Sequence, residues 1–187
     1  MDKLLRLFIA VDFGFDVKNS LNQVIQDFKK HTERGSFTHK ENLHLTLAFI
    51  GETKDLEHVK QAMDNAVMKR TIAPFRLSIG GLGRFKRNEG DIYYINVEKN
   101  DVLWELNRTL TDELKKFEFK MEEKEYKPHL TLGRRVYVKR DFDLAQFENG
   151  IPKMDVNYIS LMKSERINGK LVYTEVYRSE LHGEKVR

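Results

Sequence analysis

The tetrapeptide His44-Leu45-Thr46-Leu47 returns 85 residues later as His129-Leu130-Thr131-Leu132. On an extended strand, residues i and i+2 share a face, so each copy presents an imidazole and a hydroxyl together while its leucines anchor the other side. A His-apolar-Thr-apolar string is expected by chance only about 0.05 times in a chain of this composition, so two copies demand a reason. Two such strands facing each other line a cleft with two imidazoles and two hydroxyls, a set suited to in-line displacement at phosphorus. One neutral imidazole takes a proton from water and one imidazolium protonates the leaving oxygen. Histidine occupies either state near neutral pH. The Thr46 and Thr131 hydroxyls can donate to the non-bridging oxygens, where charge builds in the transition state. Zinc fits less well, because each His-x-Thr supplies one good nitrogen ligand and no carboxylate or thiolate completes a set at ligand spacing. The expectation is chemistry with neither metal nor cofactor. His31, His39, His58 and His182 lack this context and read as surface or loop residues.

The elements that must position these residues follow from apolar periodicity. Leu4 to Asp12 reads as a strand, and Leu21, Val24, Ile25 and Phe28 lie at helical spacing behind Gly14. A polar loop containing Gly35 leads to a strand from Leu43 to Ile50, and Gly51 ends it before a helix with Leu56, Val59, Met63 and Val67. Phe75, Leu77 and Ile79 alternate as a third strand, the glycine-rich basic stretch Gly80 to Gly90 breaks regular structure, and Ile92 to Val97 resumes it. A helix carrying Leu103, Leu106, Leu110, Leu114 and Phe117 precedes a strand from Leu130 to Val138. A charged segment spans 139–155, and strands at Tyr158 to Met162 and Leu171 to Tyr177 flank Asn168-Gly169, a signal for a tight hairpin. The 85-residue shift also lays Leu7 on Ile92, Leu21 on Leu106 and Ile25 on Leu110. Each half therefore reads strand, helix, motif strand. This implies one two-lobed domain over residues 1–187, with dependent halves of approximately 1–85 and 86–187 related by a pseudo-twofold.

Composition sets the outer bounds. With 187 residues, 40% hydrophobic and 33% charged, the chain is long enough for one sizeable core. No apolar run approaches membrane-spanning length and Met1 to Phe8 lacks the features of a signal peptide, so a soluble, cytoplasmic protein with no membrane association is expected. The absence of cysteine removes disulfides, thiolate zinc sites and cysteine nucleophiles. A formal charge of +4 is permissive of an anionic partner.

The paired motifs, with Arg6-Leu7-Phe8-Ile9-Ala10, Glu41 to Glu52 (ENLHLTLAFIGE) and Lys127 to Arg134 (KPHLTLGR), resemble the two-histidine phosphoesterase superfamily. The nearest branch is the RNA 2',3'-cyclic phosphodiesterases, also called 2'-5' RNA ligase-like proteins. The resemblance spans nearly the whole chain, including Gly80-Gly81-Leu82-Gly83 and the closing hairpin. It implies a bilobal α+β fold of two antiparallel sheets flanked by helices around a central cleft, and hydrolysis of 2',3'-cyclic phosphates to 2'-phosphomonoesters. His44 resembles the histidine that protonates the departing 3'-oxygen and His129 the one that activates water. Thr46 and Thr131 resemble the phosphate-binding hydroxyls, and Arg134 the arginine that binds phosphate. Strand parity instead gives the cleft face to Arg135, whereas a bulge at Gly133 turns Arg134 inward, and both arginines stand as candidates. The partners implied are RNA with 2',3'-cyclic phosphate ends or small cyclic nucleotides, acted on by a monomer.

Two other readings use the same residues: a ligase or phosphodiesterase acting on 2'-5' linkages or other nucleotide phosphoesters, and a nucleotide- or RNA-end-binding module without turnover. Intact histidines and threonines in both halves favour turnover. Arg84, Lys86 and Arg87, with Phe85 among them, read as a loop joining the lobes that can contact RNA phosphates or stack a base.

Overall fold

The structure, a computed structural model, describes residues 4–69, 72–147 and 153–182. The opening apolar run is strand β1 (Leu5–Asp12), and helix α1 (Phe15–Lys29) turns Leu21, Val24, Ile25 and Phe28 inward. There follow β2 (Thr32–Phe37), β3 (His44–Thr53), α2 (Leu56–Lys69), β4 (Phe75–Leu77), β5 (Ile79–Phe85) and β6 (Asp91–Val97). Then come α3 (Asp101–Lys116), β7 (His129–Val138), β8 (Met154–Val156), β9 (Tyr158–Ile167) and β10 (Lys170–Glu180). Asn100 caps α3 by accepting from the Leu103 amide at 3.0 Å, and Asp101 in the first turn and Lys115 and Lys116 in the last suit the helix dipole.

The fold is α+β, with two antiparallel four-stranded sheets ordered β10-β9-β1-β3 and β2-β7-β6-β5, and a two-stranded β4-β8 pair. Each large sheet draws on both sequence halves. The β9-β10 hairpin extends the sheet of β1 and β3, and β2 crosses to the edge of β7. Within this exchange the repeat survives: β3 and β7 are both ten residues long and start 85 positions apart. Leu45, Leu47, Leu130 and Leu132 are at most 2% exposed and share one core with the three helices. Alternation along β1 sends Leu7 and Ile9 to that core and Phe8 and Ala10 to the opposite face, where they pack with Met162 and Tyr173.

Three expectations are corrected. The polar loop around Gly35 is a strand, β2. Its Thr-Glu-Arg-Gly-Ser-Phe sequence carries almost no apolar alternation because it is an edge strand held to β7 by the main chain. The Phe75 to Ile79 strand is two strands in different sheets, β4 pairing with β8 and β5 with β6, parted at Ser78. Regular structure does not stop at Gly80. β5 runs through Gly80, Gly81 and Gly83 to Phe85, with an irregular register between Ile79 and Leu82 and a left-handed φ of 71° at Gly81. Asn168 and Gly169 have φ of 50° and 78°, the pair of left-handed residues that a two-residue hairpin with the twist of its strands requires. Among the described residues no helix is long and apolar enough to cross a membrane.

Candidate active site

The same irregularity occurs in both motif strands. On β3, Thr46 pairs with Ala10 and Ala48 with Ile9, so Leu47 is an extra residue; on β7, Thr131 pairs with Tyr94 and Gly133 with Tyr93, so Leu132 is extra. A bulge reverses the alternation beyond it. The leucine and the residue after it both stay buried, and the next side chain, Phe49 or Arg134, emerges from the sheet. The strands therefore bring His44, Thr46, His129, Thr131 and Arg134 into the lining of one cleft of about 830 Å³. Gly133 suits the tight turn, since a Cβ there would stand 3.0 Å from both Phe37 and Val136. Arg135 takes a left-handed φ of 55° and lies 3.8 Å from Glu89, outside the cleft lining. Of the two candidate arginines, the geometry places Arg134 in the cleft.

Each imidazole is oriented by the carbonyl two residues before it. His44 Nδ1 lies 2.7 Å from the Asn42 oxygen and His129 Nδ1 lies 2.7 Å from the Lys127 oxygen. A carbonyl only accepts, so Nδ1 carries hydrogen in both rings and Nε2 is the nitrogen left for chemistry. His44 Nε2 is 3.0 Å from the Thr46 hydroxyl, which donates to it when the ring is neutral. Asn42 is itself clamped to β10: its amide donates to the Leu171 carbonyl at 2.8 Å and its side-chain oxygen accepts from the Tyr173 amide at 3.3 Å.

Burial pushes both histidines below their ordinary pKa, because a desolvated imidazolium is disfavoured. The Arg134 charge adds to this at both sites, and Lys18 adds to it at His44; the two carbonyls oppose it, and Asp12, cross-strand from His44, opposes it at His44. Around neutral pH the empty cleft holds two mainly neutral imidazoles. An arriving phosphate anion supplies the opposite charge that lets one of them take up a proton.

Aromatic rings complete each histidine's walls. Phe8 and Tyr173 pack on His44 with centroids at 4.8 and 5.2 Å, and Phe85 and Tyr94 meet His129 at 5.1 and 5.3 Å. Phe85 and Tyr94 stack on one another at 4.4 Å, and a Cβ on Gly83 would come within 2.4 Å of the Tyr94 ring. Gly83→Ala is therefore expected to push Tyr94 into His129 and lower kcat about 10-fold or more, with a smaller change in KM. Steady-state kinetics checks this, and unchanged kcat means that the ring pair does not hold His129.

The sequence reading missed several residues that the cleft uses. Phe49 lines it at 45% exposure, and Thr38 backs the second motif, its hydroxyl donating to the Thr131 carbonyl at 2.8 Å. Tyr126 donates to the Thr46 carbonyl at 2.9 Å, and burial raises its pKa. An 85-residue shift lays Phe49 on Arg134, the one signal that would have found it. The basic stretch is placed differently from expectation. Arg84 and Phe85 end β5, Lys86 and Arg87 lie in the β5-β6 hairpin within one sheet, and Phe85 spends its ring on Tyr94 and His129. Arg84 and the Arg87 amide are both held by Asp91. His31, His39, His58 and His182 are exposed. Among the described residues no three His, Asp or Glu side chains converge on a point.

Known proteins resemble this chain over nearly its whole length. The chain is 27% identical to an RNA 2',3'-cyclic phosphodiesterase of Thermotoga maritima, covering 98% of this chain and 99% of the relative. It is 30% identical to one of Methanothermobacter thermautotrophicus, covering 93% and 98%. Among solved structures, a Thermus thermophilus protein superposes with a TM-score of 0.77 at 25% identity, covering 96% of this chain and 100% of that one. LigT of Escherichia coli superposes with a TM-score of 0.77 at 22% identity, covering 96% and 99%. The model of one family matches residues 17–167, the span that holds both motif strands, and by that match the chain belongs to the 2'-5' RNA ligase superfamily.

Proposed function

We propose that this protein hydrolyses 2',3'-cyclic phosphates at RNA ends to 2'-phosphomonoesters by two-histidine acid-base catalysis without a metal. The observation that carries the reading is the pair of carbonyl-anchored imidazoles, each with Nε2 left for proton transfer, in one cleft with Arg134. The named activity of the relatives supports the substrate class. Neutral His129 takes a proton from water as the water oxygen bonds to phosphorus, the P–O3' bond breaks, and His44 as imidazolium gives its proton to O3'. Asp12 lies cross-strand from His44 and its field favours an imidazolium there, offset by Lys18, with which it pairs at 2.8 Å, so the acid role of His44 follows from the family resemblance. Thr46 and Thr131 donate to the non-bridging oxygens, and Arg134 meets the phosphate charge.

Phosphorus NMR of a short RNA ending in a 2',3'-cyclic phosphate, incubated with the protein in excess EDTA, tests this directly. Conversion to a 2'-phosphate is the expected result; no conversion removes the substrate assignment. The pH dependence follows from the lowered pKa values. Because both groups titrate below the usual histidine value of about 6.5 in the free protein, kcat/KM should be bell-shaped with its maximum on the acid side of that value. Bound phosphate favours the imidazolium, so the kcat profile should lie at higher pH than the kcat/KM profile. A flat kcat/KM between pH 5 and 8 would count against paired histidines.

Reversal of the same steps is joining of a cyclic phosphate to a 5'-hydroxyl. One feature bears on that second reading: the depression beyond His129, about 700 Å³, leaves space for a second strand on the far side of the phosphate, with Phe49, Phe85, Lys124 and Lys127 on its border and the carboxylates of Asp112, Glu122, Glu123 and Glu125 among them. Incubation of two RNA halves at high concentration, with the product linkage read by nuclease mapping, checks it.

A further inference from the structure

The cleft continues past the motif residues along the open face of the first sheet to a rim that bears Arg6 and Arg166. Both reach it by strand parity. Arg6 is two residues along β1 from Phe8 and pairs with Ser164 of β9, and Arg166 is two residues beyond Ser164. Several surface arginines are matched by carboxylates, as Arg76 is by Asp155 at 3.0 Å and Arg178 by Glu175 at 3.0 Å. Among the described residues no carboxylate stands within ion-pairing distance of Arg6 or Arg166, and nearby Glu165 is paired with Lys163. The two guanidinium groups are nonetheless oriented. That of Arg6 lies 5.3 Å over the Phe49 ring, and an Arg166 nitrogen donates to the Gly169 carbonyl at 3.0 Å in the β9-β10 turn. Glu52, cross-strand from Arg6, and Glu165 also line the cleft, but neither is ion-paired with these arginines, and two guanidinium groups without a salt bridge on one wall of a phosphate-handling cleft are poised for a second anion. His44 packs on Phe8, and Arg6 begins about 7 Å farther along the strand. That step is itself comparable to the spacing of adjacent phosphates along a single strand.

We propose that Arg6 and Arg166 form a second phosphate subsite, which takes the phosphodiester one nucleotide on the 5' side of the terminal phosphate and thereby selects polynucleotide ends over mononucleotides. The proposal rests on the reading of the cleft as a nucleotide phosphate site. A mononucleotide ends at its own 5'-hydroxyl and leaves both arginines unused. A dinucleotide fills them.

Binding of inert product analogues tests the subsite without relying on turnover. Calorimetry at several salt concentrations compares a nucleoside 2'-phosphate with the dinucleotide that ends in the same 2'-phosphate. The dinucleotide should bind about 10-fold more tightly, with a salt slope steeper by about 0.7, the increment for one more phosphate neutralised on a single strand. Arg6→Met and Arg166→Met should each cut the ratio of the two affinities and the double variant should bring it near one, whereas Arg6→Lys should restore part of the salt slope. Equal affinities and slopes in the unaltered protein overturn the proposal, as does a ratio that survives the double variant, or failure of both analogues to bind. A separate turnover assay with the cyclic dinucleotide end keeps the two ideas apart: loss of turnover with the affinity ratio intact removes the hydrolase reading and leaves the subsite standing.

Discussion

Alanine at His44 or at His129 should lower kcat by about 10² to 10⁴, the range by which a positioned acid or base accelerates proton transfer. The double variant should fall by far less than the product of the two, because each histidine is useful only while the other is present. Single-turnover kinetics on a cyclic-phosphate end measures this, and full activity in either single variant overturns the mechanism. The roles can be told apart with a nucleoside phosphodiester whose leaving group is an aryloxide that departs without a proton. Loss of the acid should then matter little while loss of the base should matter as before, so His44→Ala is expected to recover on that substrate and His129→Ala is not. Recovery of the opposite variant would exchange the assignments.

Arg134→Met should raise KM about 10- to 100-fold, the worth of a hydrogen bond to a charged group. It should also move the pH profile. The Arg134 charge helps hold both histidines below their ordinary pKa, so its removal raises both, and the kcat/KM maximum shifts toward higher pH. Arg135→Met removes an equal charge that faces Glu89 outside the cleft lining, and should change neither quantity appreciably. Titrating kcat/KM for the two variants side by side checks the expectation; an Arg134 variant with unchanged KM and unchanged profile has no phosphate role.

The motif strands were legible because their two requirements coincide in sequence: a face for chemistry and a face for the core, in alternation, twice. The β9-β10 hairpin was legible because Asn168-Gly169 supplies two left-handed residues. β2 was not, since a strand whose contribution is main-chain pairing at a sheet edge needs no apolar alternation, and Glu33, Arg34 and Ser36 point to solvent. The aromatic walls were hidden for another reason. Phe8, Tyr173, Phe85 and Tyr94 come from four strands, and nothing local marks which rings meet a given imidazole. The Arg134 question was visible as a conflict between parity and glycine. The answer lies in the cross-strand register, which places Leu132 as the extra residue and which no single segment encodes.

The exchange of strands between the halves has a mechanical consequence. Following the chain through the two large sheets, it crosses from one to the other between β1 and β2, again between β2 and β3, between β3 and β5, and between β7 and β9. Jaws that swing on a hinge are joined by a few segments that can absorb the rotation. Here the chain passes between the two sheets four times, and the crossings before and after β3 run directly into and out of a motif strand. A frame of this kind is expected to hold the two imidazoles at one spacing before substrate arrives, as a gauge rather than as a clamp.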